Sequence, residues 1–421
     1  MNLEEQQTTA QRAVLVGLNC SAHSAQEYNA TDATLAELRS LAETAGAEVV
    51  GIVTQNRVTP DPKTLVGEGK AQEIGEFVKN TQAQLVIFDN ELTPSQIKNL
   101  EAAVGVQVID RSMLILDIFA LHATSREGKL QVEMAQLKYT LPRLMGRGTE
   151  LSRLGGGIGT RGPGESKLEQ DRRHIKTRVS LLRAQLEENR KNRAQQRKSR
   201  DVSGMPKIAV IGYTNAGKST LLNALTGAGV LVEDKLFATL DPTTRKLKLA
   251  NNYEALLTDT VGFIRNLPHH LIEAFSSTLD EVRFADLLLH VVDVSNPDLY
   301  DQMEVSQKLI EQLGAAHVPV IVVFNKADLA APQEIPNMRD SIAVSAATGA
   351  GLDELLERIY RKLSEREREI QVLIPYDQGA LLEGIFREGK VSAQEHRENG
   401  TYIKLRADEA LAGRLQDFRI D

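Results

Sequence analysis

The sequence holds a single cysteine in 421 residues, which excludes an internal disulfide and a multi-thiolate metal site, so Cys20 reads as a small buried residue. Long apolar runs are also missing. The longest, such as DLLLHVV and VPVIVVF, fall far short of the roughly 18 residues that a membrane-spanning helix needs. The opening stretch MNLEEQQTTAQ lacks a charged-then-apolar pattern, so neither a secretory leader nor a membrane anchor is expected and a reducing cytoplasm is. What is present points to a folding chain. Hydrophobic residues make up 42% and charged residues 25%, near globular averages, which excludes a chain disordered throughout or a fibrous one. The length allows about three domains at roughly 150 residues each.

The formal charge of −7 conceals an asymmetry. Between Arg143 and Arg200 stand sixteen Lys or Arg against six acids, a net of +10 that leaves −17 for the rest. A basic block in an acidic chain is the footprint expected of a polyanion partner such as nucleic acid, although such runs also occur as solvated helix faces. Its later part, Glu165 to Arg200, is a stretch without Gly or Pro, which predicts a helix of roughly 54 Å at 1.5 Å per residue. Its apolar stripe is Leu168, Ile175, Val179, Leu182 and Leu186. A matching stripe, Leu130, Met134, Leu137, Leu141 and Leu144, precedes it, with Pro142 kinking or ending that helix. The two form an antiparallel helical hairpin. Its tip, residues 146–164, holds eight glycines and three arginines, Arg147, Arg153 and Arg161, which reads either as a connector or as a segment whose glycines allow close backbone approach while its arginines meet phosphates.

Ahead of the hairpin, residues 12 to about 110 alternate short apolar runs (AVLVGL, EVVGIVT, AQLVIFD, VQVID) with amphipathic stretches, which reads as βα units around a parallel sheet. The loop VGEGK, Val66 to Lys70, lacks the spacing of a phosphate loop. Behind the hairpin, KIAVIGYTNAGKSTLLNAL is strand, turn and helix. The turn, Gly212, Tyr213, Thr214, Asn215, Ala216, Gly217, Lys218 and Ser219, matches the G-x-x-x-x-G-K-[ST] phosphate loop. Its N–H groups ring the β-phosphate, Lys218 reaches β- and γ-oxygens, and the Ser219 hydroxyl ligates Mg²⁺.

Three further motifs follow in order. Asp259, Thr260, Val261 and Gly262 form D-x-x-G at a strand end, where Asp259 holds Mg²⁺ through water and the Gly262 N–H senses the γ-phosphate. Asn325, Lys326, Ala327 and Asp328 end another strand. The Asp328 carboxylate accepts from guanine N1–H and the 2-amino group, both absent in adenine, and an unmet buried polar group can discriminate by about 10⁴ to 10⁵. Asn325 ties this loop to the phosphate loop, and Lys326 packs along the base. Ser345, Ala346 and Ala347 supply a backbone N–H, that of Ala346, to guanine O6. Between the first two motifs LFATLDPTTR is the place for switch I, where Thr239, Thr243 and Thr244 all qualify as Mg²⁺ ligands. A glutamine that would orient the attacking water is missing after Gly262. Phe263 stands there.

The four motifs resemble the translation-factor-related class of P-loop GTPases over residues 207 to about 365. The F-A-T-L run resembles Obg-related GTPases, which selects Thr239 and places Phe237, Ala238, Leu240 and Asp241 beside the nucleotide. With VGEGK, the hairpin motif GGGIGTRGPGE and FATLDPTTR before DTVGFI, the chain resembles the HflX family of ribosome-associated GTPases along nearly its whole length. The resemblance implies an α/β chain with a P-loop GTPase domain (204–366), an α/β amino-terminal domain (1–125) followed by the hairpin (126–203), and a small α+β carboxy-terminal domain (367–421). It implies GTP hydrolysis with Lys218, Thr239 and Gly262 as catalytic groups, Mg²⁺ on Ser219 and Thr239, and GTP or GDP as ligand. The implied partner is the large ribosomal subunit and its RNA, with subunit separation on stalled ribosomes under stress, by a cytoplasmic, partly ribosome-bound monomer. A different reading is an RNA-remodelling protein with an ATP-linked amino-terminal domain and a GTPase switch.

Overall fold

A computed structural model of the protein describes residues 10–21, 31–144, 163–201, 205–227, 236–237, 241–250, 253–265, 276–365, 368–407 and 409–420. Residues 146–162 of the expected hairpin tip and Ala238, Thr239 and Leu240 of the expected switch lie outside them. The chain divides into two compact units, one of residues 1–187, 233–241 and 262–276, the other of 188–232, 242–261 and 277–421.

In the first unit, β1 (Gln11–Cys20), β2 (Ala47–Arg57), β3 (Leu85–Phe88) and β4 (Gln107–Asp110) form a parallel sheet in the order β2-β1-β3-β4. The runs Ala13–Val16 and Leu85–Phe88 are buried at every residue, as expected of strands covered on both faces. The covering helices are α1 (Asp32–Thr44), α2 (Glu68–Thr81) and α3 (Pro94–Val104). Thr31 and Thr93 start α1 and α3 with capping boxes, and Pro94 stands in the first turn of α3, where its missing donor is harmless. The βα reading of the sequence is therefore the fold.

Asp110 ends β4 and caps α4 (Arg111–His122), accepting from Met113 N at 3.0 Å. Next comes α5 (Arg126–Leu144), which carries Pro142 within its last turn. The expected α5 stripe is only partly the buried face. Val132, Met134, Ala135 and Tyr139 are buried, whereas Leu130, Leu137 and Leu141 are half-buried. The following helix, α6 (Pro163–Asp201), runs for 39 residues. On it Leu182 is fully buried and Ile175, Val179 and Leu186 are half-buried, so these four form the less exposed face as expected, while the side chain of Leu168 lies outside the described residues. Arg178 fixes α6 to α5 by a two-pronged bond to Glu133 at 2.6 and 2.8 Å. At least three described cations of the basic block are thus engaged within the unit, since Arg143 also lies 3.3 Å from Asp110 and Arg172 3.8 Å from Glu169.

The second unit holds a six-stranded sheet of β5 (Lys207–Gly212), β6 (Thr243–Lys248), β7 (Glu254–Asp259), β8 (Leu287–Asp293), β9 (Val320–Asn325) and β10 (Ser341–Ala343). Its order is β10-β9-β8-β5-β7-β6, parallel except for the β6–β7 pair. The helices α7 (Lys218–Thr226), α8 (Ser276–Arg283), α9 (Leu299–Gln312) and α10 (Leu352–Ser364) accompany it, around a core that includes Val210, Leu221, Leu257, Leu289, Val323 and Ile359. A three-stranded antiparallel sheet follows, β11 (Arg368–Ile374), β12 (Lys390–Arg397) and β13 (Gly400–Ala407) in the order β11-β13-β12. It has its own core of Val372, Ile374, Ile385, Ile403, Leu405 and Leu415, with α11 (Gly379–Glu388) and α12 (Glu409–Arg414) alongside. The fold class is therefore α/β with a small α+β carboxy-terminal part. Among the described residues no helix is long and apolar enough to cross a membrane.

Candidate functional site

The six-stranded sheet brings the motifs of the second unit to one edge, because parallel strands end together. Val210 on β5 pairs with Asp259 on β7, Gly212 on β5 with Val291 on β8, and Asp293 on β8 with Asn325 on β9. The carboxyl ends of such strands are where ligands bind in open α/β sheets. The turn after β5 needs its glycines. Gly212 sits at φ 145, where a Cβ would stand 2.1 Å from the Val291 carbonyl oxygen, and Gly217 at φ 87, where a Cβ would stand 2.3 Å from Asn325 Nδ2. Asn215 is left-handed as well, at φ 61.

Lys218 opens α7, is 6% exposed, and donates from Nζ to the Tyr213 carbonyl at 2.8 Å. Burial pulls its pKa down to about 8 against the opposing pull of the Asp259 carboxylate. An ammonium that has lost water is stabilised by an arriving polyanion. Next to it, Ser219 Oγ donates to Asp259 Oδ2 at 2.6 Å, so a hydroxyl and a carboxylate oxygen, both hard donors, stand together as a Mg²⁺ ion requires. The Thr214 hydroxyl is buried with no hydrogen-bond partner among the described residues, a further polar group of the loop that a phosphate oxygen can satisfy. Thr260 is structural, its hydroxyl donating to the Val210 carbonyl at 2.7 Å from a fully buried position.

On the base side, Asn325 does what its motif predicts. Its Nδ2 donates to the Ala216 carbonyl at 2.9 Å, and its Oδ1 accepts from Ala346 N at 3.0 Å, joining three loops through one buried amide. That same Ala346 N–H is the expected partner of guanine O6, so the O6 contact requires this bond to be shared or released. Ser345 shapes the loop, its Oγ accepting from Thr348 N at 3.2 Å. Asp328 is exposed in a short helical turn, Ala327–Leu329, and Ala347 is exposed too. The Lys326 ammonium lies 2.7 Å from Asp293 Oδ2. Asp293 is a residue that the motif reading did not mark, since it lies in a neighbouring strand.

Phe237, Asp241, Gly262 and Phe263 fall in the first unit. Asp241 Oδ2 accepts from Thr124 N at 3.0 Å, Thr124 Oγ1 at 2.8 Å and Ser125 N at 2.6 Å, and Oδ1 accepts from the Ser125 hydroxyl. Phe237 is buried, left-handed at φ 58, and edge-on to Phe119 with ring centroids 4.8 Å apart. Both described neighbours of Thr239 are therefore anchored on the α4–α5 corner, a role no sequence motif announces. Gly262 is buried, and Phe263 is 1% exposed. In the loop VGEGK, Gly67 caps α2 while Lys70 pairs with Glu73 at 2.8 Å, so local structure accounts for both residues. Among the described residues no group of three or more His, Cys, Asp or Glu side chains gathers to hold a metal.

Known families match the chain in consecutive pieces: one described as GTP-binding GTPase N-terminal over residues 32–120, one as GTP-binding GTPase Middle Region over 122–200, one as 50S ribosome-binding GTPase over 207–326, and one as HflX C-terminal domain over 331–417. A GTPase HflX of Caldanaerobacter subterraneus is 51% identical over 99% of this chain and 96% of its own. A GTPase HflX of Lacrimispora saccharolytica is 48% identical over 91% and 92%. The GTPase HflX of Escherichia coli is 43% identical over 87% and 88%.

Proposed function

The chain belongs to the HflX family of GTPases and so binds and hydrolyses GTP; from that premise we propose that it acts on the large ribosomal subunit, separating ribosomal subunits and rescuing stalled ones under stress. For the nucleotide, the observation that carries the reading is the Asn325 amide, which links the phosphate loop to the loop of Ala346. For the ribosome, the support is the likeness of residues 207–326 to a family described as 50S ribosome-binding GTPase, joined to the net +10 of residues 143–200.

In this reading Ser219 and Thr239 ligate Mg²⁺, which neutralises charge on the β- and γ-phosphates when bound, and Asp259 holds it through water. Lys218, Thr239 and Gly262 serve the γ-phosphate, and Asp328 reads the guanine edge. Four domains carry the work: 1–125, 126–203, 204–366 and 367–421. The last boundary follows the end of α10 and the start of the antiparallel sheet, whereas the likeness to the HflX C-terminal domain begins at residue 331. The protein is cytoplasmic, partly ribosome-associated and monomeric, and the arginines at 147, 153 and 161 meet ribosomal RNA through phosphates.

Binding to purified large subunits, measured with GTP and GDP across a salt series, tests the proposal. Tighter binding in the GTP state is expected, with log affinity falling against log salt and a slope that flattens by up to about one unit per arginine removed. Binding that ignores the nucleotide sinks it, and full competition by RNA alone favours an RNA-remodelling role. The base reading has its own check. Asp328→Asn should move preference from GTP to XTP, and an unchanged preference would place base readout elsewhere.

A further inference from the structure

Strands β8 and β9 end side by side at Asp293 and Asn325, which are register partners, and Val294 N donates to the Asn325 carbonyl at 3.0 Å. The pairing therefore continues one residue past β8. Lys326 follows in the left-handed region at φ 60, and its ammonium lies 2.7 Å from Asp293 Oδ2. The other oxygen, Oδ1, accepts from Ser295 N at 3.0 Å and from Ser295 Oγ at 2.6 Å. One side of the carboxylate is thus fixed by its own turn, and the other holds the lysine.

The Asp293 and Lys326 side chains are 13% and 28% exposed, so water screens the pair in part and its worth to stability is modest. Its geometric effect is larger. A lysine carries a strongly hydrated charge on a flexible four-carbon stem, and an unanchored stem beside a purine would turn outward to water. We infer that Asp293 is a positioning residue of the guanine site: it fixes the Lys326 ammonium so that the aliphatic stem is extended for the base face before nucleotide arrives. The inference rests on the guanine-nucleotide reading above. It differs from the Asp328 role in one respect that can be measured. A stem packed on the ring face is indifferent to the base edge, so its loss weakens guanine and xanthine nucleotides alike.

Equilibrium binding of GDP and GTP to the full chain tests this. Asp293→Ala should raise both dissociation constants by about five- to tenfold, the size of one charge-assisted hydrogen bond in a partly wet site, with kcat at saturating GTP within about twofold of wild type. In the Asp328→Asn background the same substitution should weaken XDP by the same factor, and Asp293→Glu should recover most of the loss. Lys326→Met keeps most of the stem without the charge and should lose as much as Asp293→Ala. The double variant should then lose no more than either single one, because both remove the same interaction. Unchanged dissociation constants in both single variants, or a double variant whose losses multiply, would overturn the inference. Wild-type protein that binds neither GDP nor GTP would overturn the guanine reading itself and this inference with it.

Discussion

Lys218 is an ammonium kept from water before any phosphate reaches it, and its pH behaviour follows. Burial brings its pKa down to about 8 from the ordinary lysine value, with Asp259 resisting. Above about pH 8 the unliganded site has lost the proton that phosphates require, so nucleotide binding must take one up, and affinity should fall with rising pH by up to about tenfold per unit. The sign for stability is opposite: between about pH 8 and the unfolded value the unfolded chain holds more protons, so folding gains with pH, by no more than about 3 kcal/mol. GDP titration calorimetry in two buffers of different ionisation enthalpy should find proton uptake near zero at pH 7 and approaching one at pH 9, and none at pH 9 in Lys218→Ala. Uptake absent from wild type at pH 9 would show that Lys218 keeps its charge without nucleotide. At this scale the sequence was highly legible where a residue serves a local turn. Gly212, Gly217, Lys218 and Ser219 announce themselves by spacing alone. Asp293 did not, because its partner Lys326 follows the end of another strand and only strand register makes them neighbours.

Elements were legible in proportion to how far one face decides their burial. Strands β1 and β3 carry unbroken apolar runs, Ala13–Val16 and Leu85–Phe88, and α6 presents one stripe, Ile175 to Leu186, so both could be read from the sequence pattern alone. Helix α5 packs on more than one side, against α4 and against α3, and is bonded to α6 through Glu133, so a single stripe described it poorly. The corner before it was hidden for a different reason, because its ligand, Asp241, lies more than a hundred residues away. That carboxylate satisfies the N–H groups of Thr124 and Ser125 as well as their hydroxyls. Asp241→Ala should therefore destabilise the first unit by about 1–2 kcal/mol in urea unfolding, the loss of bonds that exposed and half-buried donors make to a charged group and that water replaces only in part. Gly128→Ala should act the same way, since its Cβ would stand 2.6 Å from Asp241 Oδ1. Burial works to raise the Asp241 pKa, but the bonds from Ser125 and Thr124 outweigh it and hold the pKa below the ordinary value. The contribution should thus be complete above about pH 4 and fade as pH falls through the lowered pKa, which unfolding of wild type and Asp241→Asn across that window would show. An Asp241→Ala stability within about 0.5 kcal/mol of wild type would mean that water replaces the carboxylate without loss.

For the molecule as a whole, the motifs follow one another along the chain, while the compact units gather residues 233–241 and 262–276 with the amino-terminal part, an arrangement that linear order cannot express. Its consequence is clearest at Phe263. The residue after Gly262 is where a glutamine would orient the attacking water, and here it is an aromatic ring 1% exposed, so this position supplies no water-orienting group. Phosphoryl transfer depends on positioning and on charge stabilisation, and in the proposed reading Lys218 with Mg²⁺ would provide only the second. The isolated protein should therefore turn over GTP slowly. A ribosomal surface that orders switch I and the loop after Gly262 would supply the missing position, and groups provided in trans have precedent for accelerations on the order of 10³ or more. Single-turnover hydrolysis at saturating GTP should then rise at least about tenfold on adding large subunits, and Lys218→Ala should abolish both rates. Deleting residues 155–164 should leave GTP binding intact and remove subunit separation, because the deleted segment carries Arg161 and the glycines that permit close approach to RNA. Equal rates with and without large subunits would mean that another group of this chain already positions the water, and the argument from Phe263 would fall.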